Sequence, residues 1–401
     1  MTSRPPAPAR TLDMDSLILD RATRIVVTCG SGGVGKTTTA AAMALRAAEA
    51  GRRTVVLTID PARRLAQAMG LNELDNTPRP VKDIDESSGG ALHAMMLDMK
   101  RTFDDVVSAH STPDRAEEIF ANPFYQALSS SFAGTQEYMA MEKLSQLAES
   151  DEWDLIVVDT PPSRSALDFL DAPERLGRFL DGRMIRLLTA PARAGGRAYV
   201  KVVTAGFSVF SKILSKILGG ELLSDVSAFV AALETMFGGF RQRAEHTYEL
   251  LKAPGTAFVI VAVPEPDALR EASFFVARLR DDHMPLAGLV VNRVHHTVDD
   301  TAGIATLSAP RAEAAADSLA EKRHRQRGGT AGDSARVAAA ALAETALRVH
   351  VEQATAADHD VRMARRFVAA HPDVAVVSVP ALPTDVHDLD GLRQIGRLLA
   401  S

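Results

Sequence analysis

The chain has 401 residues, 46% of them apolar and 24% charged, with a formal net charge of −6. That is the composition of an ordinary soluble globular protein with enough length for a large core, and its pI near 6.0 excludes a general electrostatic attraction to nucleic acid or anionic lipid. The single cysteine, Cys29, excludes an intrachain disulfide, a cysteine-based zinc site and an iron–sulfur cluster, and fits a reducing cytoplasm.

Residues 1–20 read as a flexible N-terminal tail, since the opening MTSRPPAPAR lacks the apolar core of a signal peptide. No apolar run approaches the roughly 18 residues that span a bilayer, so any work at a membrane is done from its surface. Short β-branched runs then recur at Arg24–Thr28, Thr54–Thr58, Leu92–Leu97, Leu155–Val158, Ala257–Val263, Leu289–Val291 and Val374–Val379. Most are continuous apolar runs without alternation, as in strands buried on both faces. Helical stretches such as Lys36–Ala50 separate them. Strand alternating with helix predicts an α/β fold, a mostly parallel sheet covered by helices on both faces.

Two intervals, 100–153 and 162–251, are too long for simple crossovers and carry helical periodicity with few strand signals. They predict an inserted α-helical subdomain, leaving 21–99, 154–161 and 252–401 as the α/β domain. Thr297–Ala341 is rich in small and charged residues; its alanine runs suggest a helix, and Arg327–Asp333 (RGGTAGD) reads as a loop. Within the second interval, Phe207, Phe210, Leu214, Ile217, Leu218 and Leu222 fall on one helical face. That stripe suits a groove for an apolar client helix or contact with a membrane surface, and equally a helix packed inside the subdomain or against a second subunit. Met139, Met141, Phe229, Met236 and Phe237 suit the same groove or a plain core. Leu392–Leu399 reads as a short amphipathic helix packed on the sheet, and His295-His296 as exposed.

The chemistry concentrates in a few segments. Gly30-Ser31-Gly32-Gly33-Val34-Gly35-Lys36-Thr37 lies between a strand and a helix, the context a phosphate-binding P-loop requires. Glycines let backbone N–H groups turn inward around phosphates, and the helix N-terminus adds a favourable dipole. Lys36 would neutralise β- and γ-oxygens, and the Thr37 hydroxyl would ligate Mg²⁺. Asp159 closes the fourth run in the Walker B position, placed to hold Mg²⁺ through a water. Asp60 ends the second run, where a carboxylate can orient or deprotonate the attacking water; it also suits the N-cap of a helix over Pro61–Met69.

In order and spacing, these segments resemble the ArsA family of arsenite-pump and tail-anchored-protein-targeting ATPases. The resemblance runs from residue 24 to 399. It includes Asp60-Pro61-Ala62, Gly134-Thr135-Gln136-Glu137, Asp159-Thr160-Pro161-Pro162, Val291-Asn292-Arg293 and Pro380-Ala381-Leu382-Pro383. It implies a dimeric, Mg²⁺-dependent ATPase in which Asp60 and Lys36 are catalytic and Thr37 and Asp159 serve the metal. Nucleotide contacts are implied from Gly30 through Thr38, at Asn292 against the adenine, and at Pro380, whose loop closes over the base. The family carries lysine where this chain has Ser31, a lysine that reaches the nucleotide across the dimer. Arg63 and Arg64 are candidate replacements, and a heterodimer with a paralogue that keeps the lysine is the alternative to a homodimer. With one cysteine, no arsenite site is expected.

The reading is an ArsA-type ATP hydrolase whose nucleotide state opens and closes a dimer and controls a hydrophobic client, a membrane-associated protein or another protein partner. Two alternatives stand beside it: an ATP-binding regulatory protein with weak turnover, and a membrane-positioning switch of the MinD kind.

Overall fold

The computed structural model describes residues 10–60, 64–122, 125–126, 135–161, 243, 245–296, 307–325 and 331–400. Its eight strands are β1 (Ile25–Cys29), β2 (Arg53–Thr58), β3 (Arg79–Pro80), β4 (Ala91–Met96), β5 (Leu155–Asp159), β6 (Thr256–Ala262), β7 (Leu286–Val294) and β8 (Val376–Pro380). They form one sheet in the order β3-β4-β2-β5-β1-β6-β7-β8. All pairings are parallel except that of the two-residue edge strand β3. Every residue of β1, β5 and β6 is buried. Alternate side chains leave opposite faces of a strand, so the centre of the sheet is covered on both sides.

The strand runs read from sequence match the observed strands within a few residues, with two differences. β7 runs for nine residues, where only Leu289–Val291 stood out; Gly288 and Arg293 break the apolar pattern, and the pairing shifts register near each of them while the strand continues. β3 is exposed and has no hydrophobic signature to read.

The helix α2 (Lys36–Glu49) follows β1 and buries alanines 40, 41, 42, 44, 47 and 48 with Met43 and Leu45. Such small side chains let it lie close over the sheet. The C-terminal helix α10 (Leu389–Leu399) packs mainly against α2, burying Leu392, Ile395 and Leu399. Gly396 lies over the Ala42 carbonyl, and Arg393 pairs with Glu49 at 2.8 Å. Its apolar face is therefore taken up inside the protein.

Residues 10–20 depart from the flexible-tail expectation. Helix α1 (Met14–Leu19) is capped by Asp13, whose carboxylate accepts from Ser16 N–H at 2.9 Å, and it buries Met14 and Ile18 completely. Leu12 N–H donates to the Val376 carbonyl at 3.1 Å, tying the segment to β8. Short apolar insertions in a polar stretch acquire this order only from the surface they cover. Arg52, buried, donates through its two terminal guanidinium nitrogens to the carbonyls of Ile18, Asp20 and Thr23, fastening α1 to the sheet.

Before β5 come α3 (Arg64–Ala68), α4 (Met99–His110), α5 (Pro113–Ala121) and α6 (Thr135–Glu149). Met139 and Met141 are buried in the core. A half-buried ion pair, Arg243 to the buried Glu142 at 2.9 Å, joins α6 to the stretch that leads into β6. The stripe at Val202–Leu223, with Phe229, Met236 and Phe237, lies outside the described residues. After β6 come α7 (Pro266–Asp281) and, beyond β7, the helices α8 (Ala309–Arg325) and α9 (Ala331–Ala370), which pack together. The 40 residues of α9 correct the sequence reading: the helix continues to Ala370, and Ala331–Asp333, read as loop, is its first turn. Among the described residues no helix is long and apolar enough to cross a membrane.

Candidate nucleotide site

β1 sits between β5 and β6, so the chain crosses from one side of it to the other at the carboxyl end of the sheet. Open parallel sheets bind ligands at such a switch point. The loop 30–35 emerges there and turns into α2. Gly30 has φ +151°, and a Cβ on it would stand 2.1 Å from the Val261 carbonyl oxygen. Gly35, the N-cap of α2, has φ +95°, and a Cβ there would meet Asn292 Nδ2 at 2.2 Å. Only glycine satisfies either position. No side chain caps α2, which leaves its first N–H groups directed into the loop for an anion.

Lys36 is 6% exposed, and its Nζ donates to the Ser31 carbonyl at 2.8 Å, so the ammonium bridges its own loop. Burial pulls its pKa below the ordinary lysine range, opposed by the charges of Asp159 and Asp60. The Thr37 hydroxyl donates to Asp159 Oδ2 at 2.8 Å, and the Thr58 hydroxyl to the same oxygen at 3.0 Å. Asp159 is fully buried, and burial pushes its carboxyl up to about 6 despite these two donors. Its other oxygen, Oδ1, is buried with no hydrogen-bond partner among the described residues. A bare carboxylate oxygen beside a hydroxyl with free lone pairs fits the all-oxygen donor set of Mg²⁺. Thr37 and Asp159, 122 residues apart, meet because β1 and β5 pair in parallel with Thr28 opposite Asp159.

Asp60 stands two residues past the end of β2, half-buried, with its charge acting on both Lys36 and Asp159. Pro61, Ala62 and Arg63 lie outside the described residues, and Arg64 opens α3 exposed to solvent. Ser31 and Thr38 are half-buried, Gly32 and Gly33 exposed, Val34 buried. Asn292 is 8% exposed and donates from Nδ2 to the Val34 carbonyl at 2.8 Å, while its Oδ1 accepts from Arg293 N–H at 3.0 Å. Part of its amide is thus used to brace the glycine loop. Pro380 ends β8 beside Val294. Cys29 is buried and its thiol is pushed up to about 12 by desolvation, which keeps it neutral and unreactive.

Beside the loop lies a cleft of about 1060 Å³. Ser31, Gly32, Gly33 and Val34 line it, together with the start of α7 and, from α9, Val351, Thr355, His359 and Arg362. Arg293 also faces it from a break in the β7–β8 register, with its backbone at φ +58°. His295 closes one end: its backbone N–H and its ring Nδ1 both contact Asp360 Oδ2 at 2.8 Å. Sequence reasoning missed Thr58, Arg293 as a cleft residue, and the whole α9 wall. A threonine two positions before Asp60 was a visible signal; nothing local marked a helix more than 300 residues away as a neighbour of the loop.

A P-loop at the switch point of a parallel sheet, with an acidic strand end beside it, defines the P-loop nucleoside triphosphatase class. The model of the anion-transporting ATPase family, ArsA, matches residues 23–309, and the chain belongs to that ATPase family. It is 27% identical over 279 residues to ATPase GET3C of Arabidopsis thaliana, covering 66% of this chain and 65% of that one. ATPase GET3B of the same plant is 25% identical over 308 residues, 72% and 68% of the two chains. ATPase GET3 of Podospora anserina is 25% identical over 289 residues, 70% and 76%. The matched region is thus about two thirds to three quarters of each relative's length.

Proposed function

We propose that this protein binds ATP with Mg²⁺ at residues 30–38 and hydrolyses it. The observation that carries this is the bare, buried Oδ1 of Asp159 next to the Thr37 hydroxyl, at the uncapped N-terminus of α2. Thr37 and Asp159 would hold Mg²⁺, which when bound supplies charge neutralisation on the β- and γ-oxygens. Lys36 exchanges the Ser31 carbonyl for phosphate oxygens as ligand enters. Backbone N–H groups of the loop and of the first turn of α2 take the remaining phosphate charge. Asp60 orients the attacking water and accepts its proton. Asn292 holds Val34 and, with Pro380, borders the base.

The nucleotide state in this reading opens and closes a dimer, and the helical insertion binds a hydrophobic client or a protein partner. Support comes from family membership, from the apolar stripe at 207–222 in the sequence, and from relatives named ATPase GET3. Ser31 favours a second reading, a nucleotide-binding regulator with weak turnover, because the loop lacks a second cation.

ATP binding and turnover of the full chain separate the two. The Asp60→Asn variant should bind ATP within about threefold of the parent and lose roughly 10²–10⁴-fold in kcat. Tight binding without Mg²⁺-dependent hydrolysis, alone or with partners captured on Asp60→Asn, would favour the regulator.

A further inference from the structure

We infer that Thr58 is a positioning residue that couples the water-orienting segment at Asp60 to the metal-facing carboxylate of Asp159; the inference rests on the ATPase reading above. Thr58 ends β2 and is 1% exposed. A hydroxyl has one hydrogen and two lone pairs. Thr58 gives its hydrogen to Asp159 Oδ2 at 3.0 Å and accepts the Asp60 backbone N–H at 3.2 Å. The Asp60 carbonyl also lies within reach at 3.4 Å, but the shorter bond to a carboxylate is the stronger use of a single hydrogen.

Two donors now converge on one oxygen of Asp159. Thr37 arrives from α2 and Thr58 from β2, and together they fix the plane of the carboxylate. That choice leaves Oδ1 as the bare oxygen. The Thr58 donor is not easily replaced by water, because its side chain is 1% exposed and enclosed by the sheet. Threonine is not required here by the strand, where valine packs equally well at such a position. A buried hydroxyl costs free energy unless it is bonded, and this one is bonded only within the site. Its β-branched side chain has restricted χ1 freedom, so backbone movement at Asp60 and orientation at Asp159 are transmitted through a stiff link. A shift of the Asp60 segment changes one bond of that hydroxyl and disturbs the other.

The test uses full-length Thr58→Val, Thr58→Ser and Thr58→Ala. A fluorescent ATP analogue reports nucleotide affinity across a Mg²⁺ titration, turnover gives kcat and KM, and thermal unfolding reports the fold. Loss of an outer partner of a metal-binding carboxylate typically costs 10–100-fold. Thr58→Val should therefore raise the Mg²⁺ concentration for half-maximal binding about tenfold and lower kcat about tenfold. KM at saturating Mg²⁺ should stay within about twofold, and Thr58→Ser should behave as the parent. If Thr58→Val does not fold, Thr58→Ala is read in its place. Parental Mg²⁺ dependence in the hydroxyl-free variant, or equal losses in Thr58→Ser, would overturn the inference while leaving the ATPase reading intact. A parent protein with no Mg²⁺-dependent binding or turnover would remove both.

Discussion

The floor of the candidate site and its outer wall are built in opposite ways. On the floor, Lys36, Thr58 and Asp159 are 6%, 1% and 0% exposed, and they come from α2, β2 and β5, elements that pack on one another through the core. Each polar atom there has a specified partner or, at Asp159 Oδ1, a specified lack of one. The wall is the long helix α9, held to the sheet over its C-terminal part by Met363 and Phe367 in the core and by Asp360 bonded to His295 just past β7. Its N-terminal part leans on α8 through exposed ion pairs such as Arg348–Asp317 at 3.4 Å, and leaves Leu342 74% exposed. Chemistry that depends on tenths of an ångström is placed where packing over-determines geometry; the region that borders solvent is held by contacts worth little each.

That contrast can be broken in four places. The largest effect is expected at Lys36→Ala, with ATP turnover falling about 10²–10³-fold while thermal stability is kept or rises, since a desolvated ammonium is removed. Turnover within tenfold of the parent would mean that the floor is not where the chemistry happens.

Asp159→Asn should abolish Mg²⁺-stimulated nucleotide binding and, without ligand, stabilise the fold at pH 7.5. The sign follows from burial: the folded carboxyl titrates at about 6 against 3.8 as its ordinary value, so an ionised Asp159 destabilises the native state above that pH. The parent regains this stability as pH falls through about 6 and holds it fully below 3.8. Melting curves of parent and variant should therefore converge as the pH is lowered. A difference that persists unchanged at pH 4 would contradict burial as the cause.

Asn292→Ala removes a brace from the loop, a hydrogen bond worth about 1 kcal/mol, and should raise KM for ATP about fivefold with a smaller change in kcat. Steady-state kinetics check it; an unaltered KM would mean that the Val34 carbonyl is held by other contacts. The smallest effect is expected on the wall, where Leu342→Ser should shift stability by no more than about 0.5 kcal/mol and leave turnover unchanged. A large loss in denaturant titrations would show that this face of α9 is covered in solution.

Much of the floor was legible in the sequence because its parts are local. A strand, a glycine loop and a helix are contiguous between Ile25 and Glu49, and Asp60 and Asp159 announce themselves as acidic residues ending apolar runs. The wall was not legible. Alanine-rich helices pack through small residues, as Ala312 and Ala316 do in α8, and so show no broad apolar stripe to read. Arg293 was visible only as part of a motif; its position in the cleft depends on a register break against β8.

By itself, the sequence determined the glycine loop between strand and helix, the acidic strand ends and the α/β class, since each follows from residue type and spacing within one or two elements. Only the tertiary structure decided which distant residues share a hydrogen bond. Thr37 and Thr58 meet on one oxygen of Asp159, and Asn292 reaches the Val34 carbonyl across 258 positions. Those meetings depend on strand order, and strand order is a property of the whole sheet, set by which apolar faces bury one another.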